Sequence, residues 1–141
     1  ASWENDAPLL FSLLMDHIQP SLGTSKPVFI GDWPAFETSS AAEKTGDTAE
    51  RSELFIAGVE ISDGFPSLTD PDRQIETFEH QNARRRADGI PEVDVDQFYL
   101  NALRAGLPKG AGMALGFDRL VMLLTDRANI KDVLTFAWDE L

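Results

Sequence analysis

Cysteine is absent, which excludes disulfides, thiolate nucleophiles and zinc–thiolate sites. Basic residues are scarce. Twelve Lys+Arg stand against 24 Asp+Glu, for a formal net charge of −12. Such a surface repels phosphate backbones and disfavours nonspecific nucleic-acid binding, yet it is compatible with a local basic pocket for a nucleotide. Surplus acids also keep a chain soluble without any further role. Long apolar runs are missing: Leu120-Val121-Met122-Leu123-Leu124 is far too short to cross a bilayer. The first residues carry acids rather than a basic stretch before an apolar one, so no signal peptide is expected and the cytoplasm is the default location. The two histidines, His17 and His80, read as structural or solvated.

What remains is an ordinary globular composition, 43% hydrophobic over 141 residues, which fits a single domain spanning 1–141. Residues 6–18 form a helix pattern: Pro8 suits the first turn and Leu10, Leu13, Leu14 and Ile18 recur at helical spacing. Pro20 and Gly23 end it. Residues 27–30, Pro-Val-Phe-Ile, suit a buried strand, and 37–50 are small and polar, a loop. Residues 52–62 hold the best strand pattern, with Gly58 marking a bulge or a close backbone approach and Asp63-Gly64 ending it. A helix follows Asp70, with Pro71 at its first position and Asp72 at its positive end. Arg84, Arg85 and Arg86 close that helix, either as a phosphate patch or, more simply, as complements of the helix dipole. Further expectations are a helix over 96–104, a glycine-rich strand over 111–117, a helix over 118–126 and a last strand over 133–136. Irregular alternation of strands and helices implies an α+β fold with a mostly antiparallel sheet flanked by helices. Trp3, Trp33 and Trp138 suit core or interface positions better than stacking platforms.

The most informative stretch is Gly112-Met113-Ala114-Leu115-Gly116-Phe117-Asp118-Arg119-Leu120. On a strand, Gly112, Ala114 and Gly116 share one bare face, and Met113, Leu115 and Phe117 share the other. The bare face leaves room for a flat or bulky group, and the apolar face is expected to pack on a core. Arg119 follows where the strand gives way to a helix, and its planar guanidinium suits phosphate oxygens. The alternative is that the glycines serve packing and Arg119 pairs with Asp118 or another acid.

This stretch resembles motif 3 of the class II aminoacyl-tRNA synthetases, of general form Gly-x-Gly-x-Gly-x-Asp/Glu-Arg. Its continuation, Val121 to Thr125 and Asn129-Ile130-Lys131-Asp132-Val133, is similar to the lysyl-tRNA synthetase branch. So are Asp32-Trp33-Pro34-Ala35, Arg51-Ser52-Glu53-Leu54-Phe55 and Gly58-Val59-Glu60-Ile61. Ile18-Gln19-Pro20-Ser21-Leu22-Gly23 and the Ala114 variant resemble the short paralogues that modify elongation factor P. The resemblance implies that Arg119 binds the terminal phosphate of ATP and stabilises charge on the departing pyrophosphate. Glu60 would hold magnesium or the substrate's amine, Asp63 and Ala114 would line the amino-acid pocket, and Gly112 and Gly116 would floor the nucleotide pocket. A methyl at Ala114, in place of the motif's middle glycine, would reshape the bound amino acid's space.

Two departures bear on the metal. Where the family reads Glu-x-x-Asn-x-x-x-Glu from Glu60, this chain has Asp63 and Ser67. A neutral hydroxyl gives magnesium far less charge compensation than a carboxylate, so the metal site, Glu60 with Asp63, is either rearranged or lost. The resemblance also implies motifs 1 and 2 upstream, and 1–23 hold no candidate for either. Three readings result. The first is the C-terminal part of an ATP-dependent ligase that activates lysine or a related amino acid and transfers it to tRNA or elongation factor P, this chain alone being inactive or weak. The second is a catalytically inert, synthetase-derived binding module. The third is an unrelated α+β domain. Exposed sheet edges would favour a homodimer.

Overall fold

In the computed structural model, residues 6–39 and 42–138 are described; Trp3 and the Ser40-Ala41 part of the expected loop lie outside them. The fold is α+β, with antiparallel strand pairs and flanking helices. It divides into two compact units: one comprises 1–31, 52–64 and 113–141, the other 32–51 and 65–112.

The first unit opens with α1, Ala7–Ile18, capped by Asp6, whose side chain accepts the Leu9 N–H at 3.1 Å. A 3-10 turn, Gln19–Ser21, follows. Strand β1, Val28–Ile30, pairs antiparallel with β5, Ser52–Ile56, and β5 pairs antiparallel with β6, Val59–Pro66. The expected single strand over 52–62 is therefore a hairpin. Its two-residue turn, Ala57 and Gly58, has φ of 51° and 79°, the left-handed pair that matches strand twist in tight hairpins. The turn is held from outside: the Ala57 N–H donates to Gly23 O at 2.9 Å and the Gly58 N–H to Leu22 O at 2.7 Å. Gly58 is thus a close backbone approach, since a Cβ there would meet Pro20 O at 2.8 Å. Asp63-Gly64 does not end the strand; β6 continues to Pro66 because Ser52 still pairs with Gly64.

Strand β7, Ala111–Leu115, lies beyond β6 in the sheet order β1-β5-β6-β7. Gly116 N–H donates to Ile61 O and Ser67 N–H to Gly110 O, at 2.8 and 2.9 Å. These bracketing bonds keep one constant offset between chains running in opposite directions, which sets Asp63 opposite Ala114. All of β7 is exposed, Met113 by 56% and Leu115 by 52%, so the apolar face expected to pack on a core has no cover among the described residues. Helix α4, Phe117–Leu124, starts at Gly116. The strand expected over 133–136 is not formed. A 3-10 turn, Ile130–Val133, stands there instead, with Asn129 accepting the Lys131 N–H; short apolar runs do not distinguish the two. Likewise Val28-Phe29-Ile30 forms a strand but not a buried one, with Phe29 62% exposed.

The second unit contains a small sheet ordered β2-β4-β3, from Trp33–Pro34, Thr48–Ala49 and Lys44–Thr45. The expected loop over 37–50 therefore carries a hairpin, too short for a period-two pattern to register. Gly46, with φ of 63°, makes its turn. Trp33 is buried with the Arg51 guanidinium 4.7 Å over its ring. Helix α2, Pro71–Ala87, is capped by Asp70, and α3, Gln97–Ala105, by Asp96. They pack through Phe78 and Tyr99, with Leu100, Leu103 and Gln74 fully buried. The Tyr99 hydroxyl donates to Gln74 Oε1 at 3.4 Å, so a buried amide keeps a partner.

Candidate active site

The first unit gathers most of the residues singled out in the sequence. The hairpin β5–β6 has a register shift between Leu54 and Phe55. Phe55 stands opposite Glu60, Leu54 opposite Ser62 and Glu53 opposite Asp63, so Ile61 is the extra residue of a bulge. Without it, Glu60 and Asp63, three apart, would point to opposite faces. With it, both share the face carrying Phe55 and Glu53, which lie two apart on β5. That face also receives Ala114 from β7. Glu53 is buried at 4% exposure, and Glu60 is partly exposed.

Arg119 projects from the first turn of α4. Its Nη1 donates to the Glu60 backbone oxygen at 2.8 Å and lies 3.7 Å from Glu60 Oε2, with both side chains partly exposed. The acid paired with Arg119 is therefore Glu60, not its neighbour Asp118. Gly116 makes room for this: a Cβ there would stand 3.3 Å from Arg119 Cδ.

The remaining candidates fall in the second unit. A Cβ at Gly112 would meet nothing within 4 Å. Ser67 is exposed, and its backbone bridges Ala42 and binds Gly110. The arginine cluster is tied locally: Arg84 lies 4.0 Å from Asp88, Arg85 Nε donates to Pro91 O at 2.6 Å, and Arg86 is paired with Glu92. Arg84 and Arg85 border a cleft of about 590 Å³ with Phe78, Asp94 and Asp96, which sequence reasoning did not foresee because its far wall is a loop.

Residues 15–140 match the family described as tRNA synthetases class II (D, K and N). The chain belongs to this family. It is 42% identical over 142 residues to the elongation factor P–(R)-β-lysine ligases of Salmonella gallinarum, Salmonella dublin and Salmonella paratyphi B, covering 99% of this chain and 44% of each relative. The chain thus spans less than half the length of these curated relatives.

A class II synthetase of this branch implies ATP and magnesium. Among the described residues no group of three or more His, Asp or Glu is placed to hold a metal ion, so these residues form no closed protein cage. Magnesium ordinarily needs only one or two carboxylates when substrate phosphates supply the rest. Glu60 and Asp63 on one face, with the Arg119 guanidinium against Glu60, fit a nucleotide-borne magnesium of that kind. Sequence reasoning named both acids but missed the bulge that aligns them, because the extra residue is Ile61 and not a glycine, the residue that marks a bulge in a strand pattern. Among the described residues no helix is long and apolar enough to cross a membrane.

Proposed function

We propose that residues 1–141 are the motif 3 part of the catalytic domain of a cytoplasmic ligase. It activates lysine or a related amino acid, such as (R)-β-lysine, with ATP and transfers it to an amine of elongation factor P or to tRNA. The relatives' activity supports the substrate class. The observation that carries the reading is the Arg119 guanidinium placed by β7 and α4 beside Glu60.

The chemistry follows from these groups. The amino acid's carboxylate attacks the α-phosphorus of ATP, a P–O bond forms, and the bond to the leaving pyrophosphate breaks. Negative charge grows on the β- and γ-phosphates, and Arg119, which cannot deprotonate, meets it. Bound magnesium supplies further charge neutralisation there. An acceptor nucleophile then attacks the activated carbonyl and AMP leaves with the bonding electrons. Glu60 and Asp63 present negative charge to the amino acid's ammonium group or to the metal, Ala114 limits the space opposite Asp63, and Gly112 and Gly116 keep the nucleotide's path free of side chains. Ser67 favours a second reading, an inert binding module, because it places a neutral hydroxyl where the resemblance puts a metal-binding carboxylate.

Calorimetric titration of the chain with ATP and magnesium tests the ligase reading. The ligase reading expects binding that Arg119→Ala weakens by roughly 10- to 100-fold, the range for losing a charge-assisted hydrogen bond. Absence of binding up to millimolar ATP would mean that this chain is either a ligase fragment that needs the rest of its catalytic domain or an inert module.

A further inference from the structure

We propose that the cleft of about 590 Å³ in the second unit binds a free diamino monocarboxylic acid of the lysine class. The inference goes beyond the ligase reading and rests on it only in taking this class to be the enzyme's own substrate as well. One wall of the cleft is the last turns of α2, and the other is the loop over 88–96. That loop is fastened by its own contacts. The Asn82 amide holds Val93 from both sides, donating to its carbonyl at 2.9 Å and accepting its N–H at 3.0 Å. The Ile90 N–H donates to Arg85 O at 2.8 Å, Arg85 Nε donates to Pro91 O at 2.6 Å, and Arg86 pairs with Glu92. Val93 nevertheless stays 58% exposed. These ties therefore hold an apolar side chain in the open, in a cleft it lines with Phe78 and Val95. The result is a preformed apolar wall, in a space within the roughly 300–1,000 Å³ of small-molecule sites.

Charge then selects the ligand. Of the charged side chains that line the cleft, Arg84 and Asp88 face each other at 4.0 Å and offset one another. Arg85, Asp94 and Asp96 remain. The Arg85 guanidinium is bonded to a neutral carbonyl oxygen, so it keeps its charge. Asp96 Oδ1 accepts the neutral N–H groups of Phe98 and Tyr99, at 2.8 and 3.1 Å, so it keeps its charge too. Asp94 has no hydrogen-bond or ion-pair partner among the described residues. A ligand that answers one cation and two anions carries one carboxylate and two ammonium groups. Lysine and β-lysine both do, and their alkyl stems suit the wall of Phe78, Val93 and Val95. A monoamino acid leaves one aspartate unanswered, and a bare diamine leaves Arg85 unanswered. A polyanion such as a nucleotide meets two aspartates for one arginine.

The test is a titration of the isotopically labelled chain with L-lysine, followed by amide NMR shifts. Saturable shifts are expected among residues 78–96, with a Kd on the order of 1 mM, because exposed ion contacts and a partly covered stem give no more. Norleucine lacks the ε-ammonium, ε-aminocaproate the α-ammonium and cadaverine the carboxylate. Each is expected to bind about three- to fivefold more weakly than L-lysine, the upper range for one exposed ion contact. Asp94→Asn is expected to weaken L-lysine by the same factor. Asp16→Asn on α1 removes one exposed charge elsewhere and is expected to leave the affinity unchanged. The ligand series uses the unaltered chain, so it decides the matter even if Asp94→Asn does not fold. Equal affinity for L-lysine, norleucine and cadaverine overturns the inference, as do shifts confined to the first unit or no saturation by about 20 mM. A folded Asp94→Asn chain that binds L-lysine as wild type does overturns it too. The ATP–magnesium titration of Arg119→Ala is independent of all of these, so the ligase reading is judged separately.

Discussion

At the scale of single residues, two glycines do different work. Gly116 gives Arg119 its place by lacking a side chain, whereas Gly58 gives the β5–β6 hairpin its place by taking φ of 79° against the Pro20 carbonyl. Ala57, beside it, also has positive φ, so the left-handed backbone alone is tolerated in this turn. The close approach is what an added methyl cannot satisfy. Gly58→Ala is expected to destabilise the chain by about 1–3 kcal/mol and to lower its melting temperature by roughly 3–10 °C, measured by circular dichroism. An unchanged melting temperature would show that the turn does not dock on 19–23. The functional candidates were legible at this scale as residue types. Glycines alternating before an arginine are visible in the chain, but the partner of that arginine lies 59 positions away, and nothing local selects Glu60 over Asp118.

Elements were more legible where their ends are local. The caps Asp6, Asp70 and Asp96 each accept backbone N–H groups two or three residues on, so short-range chemistry alone marks the helix starts. Asp70 accepts from both Asp72 and Arg73. Asp70→Ala is expected to cost about 1 kcal/mol and Asp70→Asn much less. Chemical denaturation of the two variants checks this, and equal losses would place the contribution in charge rather than in capping. Strands were harder. The 52–62 pattern hid a hairpin because Ala57-Gly58 is an uncommon turn pair, and 37–50 hid two two-residue strands that pair with each other, the second of them also with Trp33 and Pro34.

Over the whole chain, the exposed apolar surface is unevenly divided. Among the described residues, thirteen of the eighteen exposed large hydrophobic side chains belong to the first unit. Leu9, Leu10, Leu13 and Leu14 on α1 form one stripe, and Met113 and Leu115 stand on β7. Grouped apolar exposure marks surfaces that associate. The purified chain is therefore expected to gain mass with concentration in light scattering, more so at high salt, where its net charge of −12 is screened. Leu13→Glu with Leu14→Glu is expected to reduce the effect. A monomeric mass at every concentration would count against any self-association through this surface.

Helix starts, the strand–turn–helix of 111–124 and the α+β class could be read from the residues, because caps, turn preferences and periodicity act over a few positions. Pairing register could not. The bulge at Ile61 arises from how β5 and β6 meet along their length, and it alone turns Glu60 and Asp63 to one face. The exposure of Met113 and Leu115 was equally hidden: their alternation specifies an apolar face, while its cover depends on which groups the folded chain brings near. The site is composed of residue types legible in order along the chain, but its geometry comes from long-range pairing, where backbone hydrogen bonds between distant strands decide which side chains meet.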